Sequence, residues 1–242
     1  MDSVSHVIPL PPAEFIRSIG GGDFRHASDD LFNLVTKHGQ LERTHSVLDL
    51  GSGCGRLAIP LTSYLNRDAL YSGLDIVEPM VDWCRTEITS RFGNFKFYHA
   101  DLHNTDYRHK GSRAAEFVFP FADASFDYIV ATSLFTHLVP DSARQYLRES
   151  ARVLKPNGRM LATFFVLLPD QPDETMQFKF PYPHGDALVA DAANPEAALC
   201  YPFNNAVRLF AGAGLSLDTL SFGAWAGHHG WSYQDVIVAT RA

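Results

Sequence analysis

Three glycines at alternate positions follow a short apolar run and precede a segment with helical patterning. Gly51, Gly53 and Gly55 come directly after the run 46–50. Glycine allows a tight turn and the close approach of a ligand to the backbone. The start of the following helix offers unpaired N–H groups and a positive dipole end to an anion. The spacing therefore predicts an anion-binding loop, whose cofactor-binding residues we take to be Asp49, Gly51, Ser52 and Gly53.

The spacing of these glycines separates two kinds of nucleotide site. A dinucleotide fingerprint, G-x-G-x-x-G, requires its third glycine where the helix packs on the strand. Counted from Gly51, that position is Arg56, whereas the additional glycine is Gly55. The chain instead follows the pattern Asp-x-Gly-x-Gly-x-Gly. A dinucleotide-dependent oxidoreductase stays an alternative, and the spacing counts against it.

Two acidic residues follow the next two apolar runs. Asp75 ends the run 69–75, where a carboxylate can accept hydrogen bonds from both hydroxyls of a ribose. Asp101 follows the run 95–99 and could accept a hydrogen bond from the exocyclic amine of an adenine. Either residue alone could be an ordinary polar residue at a strand end. Because both stand in register with the glycine loop, together they favour a nucleoside ligand.

Three histidines are candidates for proton transfer. His137 follows the fourth apolar run, 125–131, and is expected at the carboxyl end of the sheet, where open α/β folds bind ligands. It is the first candidate for a general base, and its alternative role is a structural bridge to the next helix. His228 and His229 are weaker candidates in a glycine- and aromatic-rich loop. We predict no metal there, because two neighbouring side chains rarely both reach one ion.

An irregular segment interrupts the second half of the chain. Residues 168–202 contain six prolines and few apolar runs. A stretch this long without regular structure is usually a functional lid or a flexible insertion, and we predict a substrate lid. Its aromatic residues, with those near the end of the chain, could wall an acceptor pocket or form a small core of the lid itself. His184 could close over a substrate or be solvated.

The remaining elements must bring these residues to one edge of a sheet. Short β-rich runs alternate with amphipathic helices, which predicts an α/β fold with a parallel sheet covered on both faces. Pro60 conflicts with a helix over 55–66, because proline costs about 3 kcal/mol in a helix interior, so that helix begins late or is kinked. Residues 1–43 are expected to form a helical cap. Strands are predicted at 46–50, 69–75, 95–99, 125–131, 159–167, 215–222 and 233–240, and helices at 28–39, 141–154 and 203–212.

Composition narrows the class of protein. With 242 residues and no linker or repeat, the chain is expected to be a single domain, 1–242. No run approaches the ~18 apolar residues of a membrane span, and the N-terminus has no basic leader region, so we expect a cytoplasmic protein. The net charge of −7 makes a nucleic-acid partner unexpected. Three scattered cysteines indicate reduced structural thiols.

The motifs together resemble the class I S-adenosylmethionine (SAM)-dependent methyltransferases. The matching segments are 48–55, 73–76, 100–102, 126–133 and 152–158, and the resemblance is strong over about residues 45–167. It implies a doubly wound, mostly parallel seven-stranded sheet whose last strand runs antiparallel between its neighbours. It also implies that Ile76 and Leu102 sandwich the adenine, while Thr132 and Ser133 face the sulfonium. In the same way, Asp49, Gly51 and Gly53 would line the methionine end, Asp75 would hold the ribose, and Asp101 would meet the adenine.

The activity that the resemblance implies is in-line transfer of the SAM methyl group to a small-molecule acceptor. We expect the acceptor atom to be a hydroxyl oxygen of a sugar-derived compound or secondary metabolite, with N- or C-methylation as the alternative. A SAM-binding protein without catalysis is a further alternative. The acceptor itself and the oligomeric state do not follow from the sequence.

Overall fold

The computed structural model describes residues 8–102 and 111–242. By its internal contacts the chain divides into two compact units, Met1–Ala100 and Asp101–Ala242. The single-domain organisation stays a prediction. The expectation that the N-terminus has no basic leader region concerns residues 1–7 among others, and these lie outside the described residues. Within the described ranges, no helix is long and apolar enough to cross a membrane.

The first unit alternates helices with three parallel strands in the order β1-β2-β3. Val47 pairs with Tyr71, and Tyr71 with Phe95, so the carboxyl ends of the three strands lie at one edge. That edge holds the glycine loop and Asp75. The elements are α1 (Ala13–Ser18), α2 (Phe24–Asn33, continued by a π-helical turn Leu34–His38), β1 (Val47–Leu50), α3 (Ala58–Tyr64), β2 (Tyr71–Asp75), α4 (Glu78–Cys84, continued by a π-helical turn Arg85–Thr89) and β3 (Phe95–His99).

Local sequence explains where these helices start. Asp23 caps α2, because its Oδ1 accepts hydrogen bonds from the backbone N–H groups of Arg25 and His26 at 3.0 and 3.1 Å. Helix α3 begins late, at Ala58, so Pro60 lies in its first turn. An amide without hydrogen is tolerated there, since first-turn N–H groups have no intrahelical partner. The late start resolves the conflict that the sequence posed.

The second unit contributes the other strands of the main sheet, in the order β10-β11-β5-β4. β4 and β5 are parallel, and β11 runs antiparallel between β10 and β5. The predicted seven-stranded, mostly parallel sheet with an antiparallel last strand is confirmed. The elements are β4 (Phe126–Ala131), α5 (Pro140–Val153), β5 (Leu154–Phe164), β6 (Val166–Leu167), β7 (Tyr182–His184), β8 (Ala187–Val189), β9 (Leu199–Pro202), α6 (Phe203–Gly212), β10 (Leu215–Ser221) and β11 (Asp235–Arg241).

The predicted fifth strand, 159–167, is wrong in its bounds. β5 begins at Leu154 and ends at Phe164, and the following residues pair elsewhere. The N–H of Val166 donates to the Asp235 carboxylate at 2.6 Å, and the carbonyl of Phe165 accepts from Tyr201 at 2.8 Å. These bonds turn the chain out of the main sheet and into a second one.

The segment 168–202 is more regular than the sequence predicts. It forms most of a four-stranded sheet in the order β6-β9-β8-β7, which includes the antiparallel hairpin β7–β8. The sheet has its own apolar cluster, formed by Phe165, Phe180, Cys200, Trp225 and Ala226. Buried apolar surface contributes roughly 25 cal/mol per Å², so this cluster stabilises the insertion by packing it against Phe165, Trp225 and Ala226.

Candidate functional site

The glycine loop of the first unit is anchored to the end of β2. The backbone N–H groups of Gly51 and Ser52 both donate to the carbonyl of Leu74, at 2.9 and 3.3 Å. Gly51 and Gly53 have φ values of 76° and 51°, which side chains with a Cβ rarely adopt. Gly51 is exposed, whereas Ser52 and Gly53 are buried. The loop therefore presents the backbone of Gly51 at the carboxyl ends of the strands.

Asp75 ties this loop to the start of α4. Its Oδ2 accepts from the N–H of Gly53 at 2.7 Å, and its Oδ1 accepts from the N–H of Val77 at 2.8 Å. Burial raises the pKa of Asp75, and these backbone hydrogen bonds offset part of the rise. The side chain stays partly exposed, with Ile76 partly exposed beside it. Each carboxylate oxygen keeps acceptor capacity for a ribose hydroxyl.

Asp49 lies beneath the loop rather than on its surface. The residue is 3% exposed, and its Oδ2 accepts a hydrogen bond from the Tyr71 hydroxyl. Burial raises the pKa of Asp49 to about 7, while the bond from Tyr71 lowers it and the nearby charge of Asp75 raises it further. Asp49 can therefore change its charge near neutral pH.

Residues of the N-terminal helices contact one side of the loop. Phe24 of α2 and Met80 of α4 form an apolar cluster around Cys54. The Arg56 guanidinium donates to the carbonyl of Ile19 at 2.6 Å, just after α1. These contacts shield the glycine loop from water on that side.

In the second unit, Asp101 and Leu102 contact Gly111 and Ser112. The N–H of Ser112 donates to the Asp101 carbonyl at 3.0 Å, and Leu102 forms a β-bridge with Ser112. A Cβ on Gly111 would lie 2.6 Å from the carbonyl carbon of Leu102, so only glycine fits this approach. Asp101 is exposed and Leu102 is buried.

A polar cluster follows β4. Ser133 has a φ of 53°, and its N–H donates to Thr163 Oγ1 at 2.8 Å. The hydroxyls of Ser133 and Thr163 both donate to Oε1 of Gln234. Thr132 is partly buried beside this turn. Sequence reasoning missed Thr163 and Gln234, although a threonine ending an apolar strand and a polar residue just before the last strand were signals available for both.

His137 bridges two segments through its ring. Its Nδ1 lies 2.9 Å from the carbonyl of Glu196, a geometry in which Nδ1 donates its proton. The Nε2 atom then carries the lone pair that a general base requires. The N–H of Leu199 also donates to the carbonyl of Thr136 at 2.8 Å, so this loop is fixed to the insertion. The ring thus bridges to the insertion rather than to the next helix, and this bond sets the tautomer that a general base would need.

His228 and His229 are placed differently from each other. His228 Nε2 lies 3.0 Å from Oε1 of Gln171, and its ring packs near Phe222. His229 is exposed. Across residues 8–102 and 111–242, no group of three or more metal-ligating side chains forms a metal site.

The aromatic residues near the last two strands divide into core and surface. Trp225 is fully buried, and its indole N–H donates to Asp235 at 2.7 Å. Asp235, which sequence reasoning missed, also accepts from the N–H groups of Gly223 and Val166 at 2.6 Å each. Burial raises the pKa of Asp235, and these three donors offset it. Trp231 and Tyr182 are exposed, while His184 in β7 is partly buried.

Comparison with known proteins supports the family that these motifs suggest. Residues 47–158 match the family described as a methyltransferase domain. Over 121 residues the chain is 34% identical to a demethylmenaquinone methyltransferase of Listeria monocytogenes, covering 50% of this chain and 45% of that protein. It is 32% identical over 123 residues to a 27-O-demethylrifamycin SV methyltransferase of Amycolatopsis mediterranei, covering 51% and 39%. The chain thus spans about half the length of these relatives or less.

Solved structures share the fold at low identity. A SAM-dependent methyltransferase from Aquifex aeolicus has a TM-score of 0.63 at 16% identity, covering 96% of this chain and all of that one. The 1,6-didemethyltoxoflavin-N1-methyltransferase of Burkholderia thailandensis, with bound S-adenosylhomocysteine, has a TM-score of 0.59 at 18% identity, covering 97% and 92%. The [4+2]-cyclase SpnF has a TM-score of 0.60 at 17% identity, covering 97% and 98%.

Proposed function

We propose that this chain is a SAM-dependent methyltransferase of the class I, Rossmann-like type, and that it transfers the methyl group of SAM to a hydroxyl of a small-molecule acceptor. The acceptor class we favour is a sugar-derived compound or a secondary metabolite. We also place the protein in the cytoplasm, without a nucleic-acid partner.

The observation that carries cofactor binding is the bonding of Asp75. Its two oxygens are held by the N–H groups of Gly53 and Val77, at 2.7 and 2.8 Å, on a side chain that stays partly exposed. The carboxylate is therefore oriented before the ligand arrives, which lowers the entropic cost of binding. This geometry suits the paired hydroxyls of a ribose.

The glycine loop also fits the methionine end of SAM. Gly51 is exposed and has no side chain to block an approach to its backbone. The Ser52 hydroxyl is buried, and no hydrogen-bond partner is found for it within the residues that the structure describes. A buried hydroxyl without a partner is costly, and an amino-acid ligand offers both a donor and an acceptor. A cationic cofactor above Asp49 would favour the ionised form of this buried carboxyl.

When bound, SAM supplies a methyl group on a positively charged sulfur, which is an activated electrophile. The protein then has to align the acceptor, exclude water and remove a proton. We assign proton removal to Nε2 of His137, because Nδ1 is engaged with the Glu196 carbonyl. Thr132 and Ser133 are assigned to the sulfonium side. His228 is less suited to proton removal, because its Nε2 is engaged with Gln171.

The hydroxyl specificity is a proposal that the relatives support only in part. One relative is named for a demethylmenaquinone and another for a 27-O-demethylrifamycin, so the acceptors of similar proteins differ. The SpnF structure also shows that this fold serves a cyclase, so the fold alone does not require methyl transfer. A SAM-binding protein without methyl transfer is therefore the second candidate. A dinucleotide-dependent oxidoreductase is disfavoured by the glycine spacing.

The test is production of S-adenosylhomocysteine from SAM with catechol, a hydroquinone and a methyl glycoside as probes. We expect at least one hydroxyl probe to raise the rate above the background without acceptor. His137→Ala should lower that rate by roughly 10²-fold or more, with SAM affinity unchanged. His26→Ala, at an exposed position of α2, is the matched control.

Three results would contradict parts of this proposal. A product methylated on carbon or nitrogen would exclude the hydroxyl specificity. Full turnover in His137→Ala would show that His137 is structural. SAM binding without turnover on any probe would favour the non-catalytic alternative.

A further inference from the structure

A cationic cavity lies between helices α5 and α6 of the second unit. Its volume is about 190 Å³, and it opens beside the turn of the β7–β8 hairpin. Gly212 leaves room in its wall, since a Cβ added there would meet no atom within 4 Å. The polar lining consists of Arg144, Arg148, Asp186, Asn205 and Arg208.

The positive charge of this cavity is only partly neutralised. Asp141 and Asp186 both bind the same guanidinium, that of Arg144, at 2.6 Å each. The Arg208 guanidinium donates to the neutral side chain of Asn205. For Arg148, no hydrogen bond or ion pair is found within residues 8–102 and 111–242. Two guanidinium groups that line this cavity thus have no carboxylate partner among the residues that the structure describes.

This concentration of charge is unusual for the chain and has an energetic cost. The sequence carries 20 basic and 27 acidic side chains, a net charge of −7. Arg144 and Arg148 are four positions apart on α5, where like charges destabilise a helix by roughly 0.2–0.5 kcal/mol. A ligand of opposite charge would convert this repulsion into attraction.

The walls of the cavity are held in place by their own bonds. Arg144 fixes the side chain of Asp186, and Asn205 Nδ2 donates to the Asp186 carbonyl at 2.7 Å. The hairpin turn is thereby attached to both helices. A preformed cavity loses less entropy when a ligand binds than one that must assemble.

We propose that this cavity is a binding site for a phosphate group, separate from the cofactor site of the first unit. A volume of about 190 Å³ is below the ~300 Å³ of the smallest drug-sized pockets. It therefore suits one charged group rather than a whole metabolite. Phosphate offers three acceptor oxygens and about two negative charges, so it can engage several guanidiniums at once. A carboxylate has only two acceptor oxygens and one negative charge.

The experiment is a calorimetric titration of the full chain with inorganic phosphate and with pyrophosphate, at ionic strength held constant with KCl. We expect saturable binding of one phosphate group per chain. Arg148→Gln and Arg208→Gln should each weaken it by roughly three- to tenfold, a modest effect because both residues are exposed. Asp186→Asn should strengthen it, because the competing carboxylate is removed from Arg144. The double variant Arg25→Gln/Arg67→Gln removes two exposed arginines elsewhere and should change nothing.

Each other outcome overturns the proposal. A dissociation constant for both probes weaker than about 10 mM would exclude a phosphate site of use in a cell. Unchanged affinity in the Arg148→Gln/Arg208→Gln pair would place the anion elsewhere. Acetate binding as tight as phosphate would exclude the phosphate preference. All of these substitutions are at exposed positions, and the unfolding midpoint of each variant checks that it folds.

Discussion

Replacing Asp49 with asparagine is expected to stabilise the protein in a pH-dependent manner. Asp49 is 3% exposed, and its partner is the hydroxyl of Tyr71. Asparagine has nearly the same shape, and its carbonyl oxygen can still accept from that hydroxyl. It replaces the ionisable oxygen by an uncharged NH2 group. The substitution therefore isolates the cost of ionising a buried carboxyl.

The magnitude follows from the pKa of this group. Burial raises the pKa of Asp49 from 3.8 to about 7, a change of about 3 units. Because the folded value is the higher one, the protonated carboxyl stabilises the fold below about pH 4, and this contribution is lost as the pH rises to about 7. At 1.36 kcal/mol per unit, the loss is at most about 4 kcal/mol.

The assay is urea unfolding of the wild type and of Asp49→Asn between pH 4 and pH 8. The free energy of unfolding of the variant minus that of the wild type should increase as the pH rises to about 7 and should then stay constant. Asp68→Asn, at an exposed position, should show no such gain. A constant difference across this range would refute the reasoning, since it would mean that Asp49 titrates alike in both states.

Three further substitutions test other parts of the structure. Gly55→Ala should lower the free energy of unfolding by about 1–3 kcal/mol in urea, because the residue has a φ of 80° and the new Cβ would lie 2.8 Å from Ile88. The control Gly93→Ala, where a Cβ meets no atom within 4 Å, should lower it by less. Asp235→Ala should lower the free energy of unfolding by at least ~3 kcal/mol, because three N–H groups lose their acceptor at about 1–3 kcal/mol each. A smaller decrease would show that water replaces the carboxylate. Asp75→Ala should weaken S-adenosylhomocysteine binding in calorimetry by more than tenfold, and unchanged affinity would remove it from the site.

Much of the fold could be predicted because its signals are local. The strand 95–99 and the helix 203–212 agree with the structure in both bounds. The glycine spacing gave the turn after β1, where three positive φ values require residues without a Cβ. The antiparallel last strand came from the family resemblance, since no local pattern distinguishes its direction.

What the sequence missed depends on contacts between distant residues. In the sequence, Asp235 is only an acidic residue beside an apolar run. The folded chain shows that its carboxylate accepts hydrogen bonds from the N–H groups of residues 166, 223 and 225. Thr163 and Gln234 meet Ser133 for the same reason, at separations of 30 and 101 positions along the chain. Prolines in 168–202 suggested irregular structure, but short strands form there between them. Their pairing partners are too far away in sequence for periodicity to reveal.

The most direct test of the central claim is a thermal unfolding experiment with SAM, S-adenosylhomocysteine, NAD and NADP in parallel. A ligand at a hundred times its dissociation constant stabilises by about 2.7 kcal/mol. At about 2–4 °C per kcal/mol for a chain of this size, the midpoint should rise by roughly 5–10 °C with the two adenosyl ligands and stay unchanged with the dinucleotides. A rise with NAD or NADP alone would contradict the assignment of the glycine loop, Asp75 and Asp101 to SAM.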